Sequence, residues 1–82
     1  MKPNAIYLGK PEGVALWSDY PIKIKLIRQI VGSHYANKGE WIAVSYYFPK
    51  WAKTYHLEQA QELLQIWTEE QIRATFQVED LV

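Results

Sequence analysis

Two segments alternate so regularly that they fix the centre of the fold. In residues 22–31, Ile22, Ile24, Leu26 and Ile30 fall on one side of an extended chain, and Lys23, Lys25 and Gln29 fall on the other. Residues 40–48 repeat the pattern, with Ile42, Val44, Tyr46 and Phe48 on one face and Trp41, Ala43, Ser45 and Tyr47 on the other. The polar stretch from Gly32 to Gly39, ending Asn37-Lys38-Gly39, joins them, so the pair is expected as an antiparallel hairpin. Two residues break the alternation. Ile27 lands on the polar face and Arg28 on the apolar one, which predicts a β-bulge near the middle of the first strand, or a sheet whose second face is also partly covered. With the more hydrophobic faces matched, Lys23, Lys25, Trp41 and Tyr47 are expected together on the opposite side of the sheet.

The remaining elements are read from turns and periodicity. Lys10-Pro11-Glu12-Gly13 has the form of a type I turn between the apolar runs Ala5–Leu8 and Val14–Trp17, which predicts a hairpin of two short strands. Pro21 then holds Tyr20 out of the helical region and the chain re-enters extended structure. Pro49 ends the second long strand. Residues 50–56 fit either a loop or a short helix begun by Pro49. From Leu57 onward, Leu57, Ala60, Leu64 and Trp67 recur at helical spacing with Glu58, Gln59, Gln61, Glu62 and Gln65 facing away, and Thr54 is the nearest cap. Beyond Trp67, Thr68-Glu69-Glu70-Gln71 has the form of a capping box, yet Ile72, Ala74, Phe76 and Val78 alternate with polar residues. Period two accounts for more of these positions, so a final strand is the expectation.

Together these elements predict a single α+β domain over residues 1–82: an antiparallel sheet of four to five strands, with one amphipathic helix near the C-terminus covering one face. A partly curled, SH3-like sheet is one version of it, suggested by element order alone. The chain has no cysteine, so neither a disulfide nor a thiolate metal site contributes, and the core must come from aliphatic and aromatic side chains. A chain this short buries only roughly 60–65% of its unfolded surface, so most large apolar residues are needed inside. The Ala5–Leu8 run is too short for a signal sequence or a membrane span, and the composition points to the cytoplasm.

Charge sets the functional expectation. The net charge is zero, but residues 21–56 carry six Lys or Arg against one acid, and residues 57–82 carry six acids against one Arg. Seven of the twelve aromatic residues lie in the basic stretch. The expected binding face is therefore Lys23, Lys25, Trp41, Tyr47, Lys50, Trp51, Lys53 and Tyr55. Aromatic anchors beside cations suit a protein partner or a second copy, with the lysines tuning orientation and encounter rate. The alternative is single-stranded nucleic acid, whose bases stack on rings while ammonium groups follow the phosphates. A neutral chain is the less usual setting for that use, because neutralising phosphates supplies most non-specific affinity. The ordinary role of such rings in a small cysteine-free domain is to fill the core.

Other chemistries find little in the residues. Glu58 and Glu62 lie four apart without a lysine partner, which fits a solvated helix face or a contact with the basic region of another copy. His34 and His56 are 22 positions apart with no cysteine near, so no metal site is expected, even with Glu40 or Asp19 as further ligands. The four glycines are scattered over separate turns and none opens a phosphate-binding helix after a strand. Neither a cofactor, a small-molecule substrate nor an enzymatic role is expected, a His acting as general base being the remaining route to one.

Overall fold

A computed structural model describes residues 1–16, 19–30, 39–48 and 60–78. The order is β1 (Ile6–Leu8), α1 (Pro11–Leu16), β2 (Lys23–Gln29), β3 (Trp41–Tyr47), β4 (Gln61–Trp67) and α2 (Glu69–Thr75). The strands form one antiparallel sheet in the order β1-β2-β3-β4, with α2 against one face. This is the expected α+β architecture. The sheet does not close among these residues, so the SH3-like version gains no support.

The two central strands are those the alternation predicts, and the bulge is present. Pairing runs Lys25↔Val44 and Leu26↔Ala43, then skips Ile27 to resume at Arg28↔Ile42. The extra residue lets Arg28 face outward while Leu26 stays inside.

The flanking elements differ from expectation. No hairpin forms around Pro11. Residues 11–16 are helical instead, with Pro11 at the first helical position, where its missing N–H costs nothing and its fixed φ suits the turn. Gly13 and Val14 both donate to the Lys10 carbonyl, at 3.0 and 3.1 Å. β1 therefore pairs with β2, Ile6 opposite Lys25 and Leu8 opposite Lys23. At the end of β1 the chain passes so close to the next segment that a Cβ on Gly9 would sit 2.2 Å from the Pro21 carbonyl oxygen, which only glycine avoids.

The C-terminal third exchanges strand and helix. Residues 61–67, expected as helix, are β4; residues 69–75, expected as strand, are α2. In α2 the capping box is complete: Gln71 N–H donates to Thr68 Oγ1 at 3.1 Å and Thr68 N–H donates to Gln71 Oε1 at 3.0 Å. Ile72 and Phe76, four apart, are both fully buried, whereas Ala74 between them is exposed. The segment thus follows the helical period with its apolar pair on one side. Gly39, in the left-handed region at φ 73°, opens β3 and accepts a bond from Glu69 N–H at 3.0 Å, which ties the start of α2 to the sheet.

The core lies between the sheet and α2. Ile24, Leu26, Trp41, Ala43, Ile72 and Phe76 are buried, and Trp67 meets Phe76 edge to face with ring centroids 5.3 Å apart. Trp67 also donates its indole N–H to Ser45 Oγ at 2.9 Å, which satisfies a buried hydroxyl. Ala43 and Ser45 are small where Phe76 and Ile72 need room, so this side of β3 faces inward.

Candidate protein-interaction surface

That choice of inner face rearranges the expected site. The strand pairings place side chains in rows across the outer face of the sheet. One row reads Leu8, Lys23, Tyr46, Glu62; the next reads Ile6, Lys25, Val44, Leu64; a third reads Arg28, Ile42, Ile66. Lys23 and Lys25 therefore stand together as expected, but beside Tyr46 and Val44. Trp41 and Tyr47 lie on the other side of β3.

Trp41 corrects the sequence reading most directly. It is 3% exposed and belongs to the core, so it is not available as an anchor. Among the described residues its indole N–H has no hydrogen-bond partner. Tyr47 is partly buried and donates its hydroxyl to Gln65 Oε1 on β4 at 2.8 Å. The aromatic ring that accompanies the lysines is Tyr46, with Lys23 Nζ 4.3 Å from its centroid, a cation–π contact. Lys50, Trp51, Lys53 and Tyr55 lie outside the described residues, as do His34, His56 and Thr54.

Sequence reasoning missed the aliphatic character of this surface. Ile6, Leu8, Leu64 and Ile66 are 54–66% exposed on the outer face, and Ile27 at the bulge is 40% exposed. Apolar side chains at both margins thus bracket Lys23, Lys25 and Arg28 on β2. The signal lies in the alternation of residues 40–48, whose more hydrophobic side, Ile42, Val44 and Tyr46, turns outward while Trp41, Ala43 and Ser45 are buried.

A second feature is an open depression of about 390 Å³ between the end of β4 and α2, lined by Gln65, Ile66, Trp67, Gln71, Ala74 and Thr75. None of these side chains ionises near neutral pH. Among the described residues no group of three His, Cys, Asp or Glu gathers as a metal site, and no helix is long and apolar enough to cross a membrane. One phenol is perturbed. Burial, then the Glu12 carboxylate, raise the pKa of Tyr20, whose hydroxyl donates to the Thr75 carbonyl at 2.6 Å.

No protein-family model, no curated protein and no solved structure matches this chain.

Proposed function

We propose that this chain is a small protein-interaction module that docks a partner on the outer face of its sheet. The observation that carries the reading is the run of exposed aliphatic side chains, Ile6, Leu8, Leu64 and Ile66, around a basic strand. Apolar area kept in water is unfavourable by roughly 25 cal/mol per Å², and several large aliphatic side chains exposed on one face of a sheet, rimming a basic strand, are a usual mark of a docking surface. Lys23, Lys25 and Arg28 would orient a partner with acidic groups at its rim and speed its encounter more than they would tighten the complex.

Nucleic-acid binding is the second reading, favoured by the three cations on β2. It is the weaker one. Among the described residues of this face, isoleucine, leucine and valine offer no ring for base stacking, and the Tyr46 ring already carries Lys23 over it.

The test is affinity capture with the wild-type chain and an Ile6→Asp, Leu8→Asp variant from the cells that make it. The variant is expected to recover a protein partner at least about tenfold less well, equivalent to about 1.4 kcal/mol, while its melting curve stays close to that of wild type. Saturable binding of single-stranded oligonucleotides that weakens steeply with salt, and disappears in Lys23→Gln, Lys25→Gln, would replace this reading with the second one.

A further inference from the structure

The two edges of the sheet are unlike. β1 is three residues long, and its margin is closed by the C-terminal segment, where Gln77 N–H donates to the Leu8 carbonyl at 2.8 Å and Phe76 bridges to Gly9. β4 is seven residues long, and among the described residues no backbone bond reaches its outer edge. Proteins normally blunt such an edge with lysine, proline, a bulge or a covering segment. β4 reads Gln-Glu-Leu-Leu-Gln-Ile-Trp, pairs without a bulge, and carries no cation and no proline. Three of its residues, Leu63, Leu64 and Ile66, are 50–66% exposed.

We infer that β4 pairs antiparallel with β4 of a second copy across a twofold axis, joining two four-stranded sheets into one. The register that uses all seven residues places Leu64 opposite Leu64 of the second copy, Leu63 opposite Gln65 and Glu62 opposite Ile66. Three observations fit a second copy as the occupant. The strand's one charge meets an apolar residue in this register, whereas parallel in-register pairing would set Glu62 beside Glu62. Leu63 shares the helix side of the sheet with buried Ser45, its neighbour on β3, yet is half exposed. In the paired register it would stand opposite Gln65 of the other copy, which with Ile66, Trp67, Gln71, Ala74 and Thr75 lines the open depression. Knob and hollow thus come from the same chain, as a twofold interface requires.

This inference does not depend on the outer face being a docking surface, and the two fail separately. The wild-type chain is measured by light scattering and sedimentation over a concentration series, at low salt and at about 0.5 M, where the Debye length is roughly 4 Å. The expected mass is twice the 9.7 kDa of the chain at both salts, because the contacts are main-chain bonds and apolar side chains. The chain has no cysteine, so single substitutions map the contact cleanly. Leu64→Cys is expected to give a disulfide-linked dimer under mild oxidation, since opposed residues in an antiparallel pair have Cα atoms about 4.5–5.5 Å apart. Leu8→Cys and Val44→Cys are expected not to, and Ile6→Asp, Leu8→Asp should dimerise like wild type. A chain that stays monomeric at about 100 μM, where a dimer of micromolar Kd is largely assembled, overturns the inference. So does cross-linking through Val44→Cys or Leu8→Cys in place of Leu64→Cys, which would mean that copies meet through the outer faces.

Discussion

At the scale of single residues, Trp41 and Tyr20 show how the surroundings decide what an aromatic side chain does. Trp41 stands in a basic, aromatic stretch, but Gln29 and Trp67 flank it in the sheet and the helix side covers it. Trp41→Ala should cost about 3–5 kcal/mol in a domain whose whole stability is of the order of 4–12 kcal/mol, and denaturant titration would show a markedly lowered midpoint. A stable variant with impaired partner binding would contradict the burial. Tyr20 is a pH-dependent tie. Its hydroxyl and Lys10 N–H both donate to the Thr75 carbonyl, at 2.6 and 3.2 Å, which joins the entry to β2 and the start of α1 to the end of α2. A phenol whose folded pKa is raised binds its proton more tightly folded than unfolded, so its contribution is complete below pH 10 and is lost as pH rises through the folded value. Tyr20→Phe should lower stability by about 0.5–1.5 kcal/mol at neutral pH and reduce the fall in stability above pH 10. Urea unfolding at pH 7 and at pH 10.5 measures both effects.

At the scale of elements, α2 depends on its first turn. Seven residues are too few to hold a helix by backbone bonds alone, so the cap and the packing of Ile72 matter more than propensity. Thr68→Ala removes the hydroxyl that receives Gln71 N–H and should cost about 0.5–2 kcal/mol. Glu69→Ala, which breaks the exposed Glu69–Arg73 pair at 3.1 Å, should cost only about 0.3–0.5 kcal/mol. Thermal melts of the two variants test the order. The same elements show what was legible in the sequence. β2, β3 and the bulge at Ile27 were readable because β-branched residues alternate there without competition from another period. β4 was not. Gln, Glu and Leu favour helix, and the spacing of Leu64 and Trp67 agrees with it, but seven consecutive pairings with β3 outweigh propensity. In α2 the capping residues at Thr68 and Gln71 carried the correct signal, and the alternation of Ile72, Ala74, Phe76 and Val78 was coincidence, since Ala74 is exposed while Phe76 is not. The candidate face was half legible for the same kind of reason. Lys23 and Lys25 follow from the strand period, whereas the side of β3 they accompany depends on Ala43 and Ser45 leaving space for Phe76, which only the helix reveals.

At the scale of the whole molecule, stability is set by how the two ends of the fold meet. Residues 8–10 and 75–77 are joined by the bridge from Gly9 to Phe76, by Gln77 N–H to the Leu8 carbonyl at 2.8 Å and by Gln77 Nε2 to the Gly9 carbonyl at 3.0 Å. β1 is therefore held by β2 on one side and by the C-terminal segment on the other, with Phe76 at the junction of that segment and the core. Phe76→Ala opens a cavity worth about 3–5 kcal/mol and loosens the closure at the same time. Its effect should not stay local. If sheet, α2 and closure form one cooperative unit, tryptophan fluorescence and far-ultraviolet circular dichroism will report the same lowered midpoint, and the amides of Gly9, Lys10 and Gln77 will exchange at the global unfolding rate. A variant in which those three amides exchange rapidly while the β2–β3 amides stay protected would place the N-terminal strand outside the cooperative core. The edge at β1 would then open independently of the sheet, and the asymmetry that leaves β4 as the reactive margin would be lost with it.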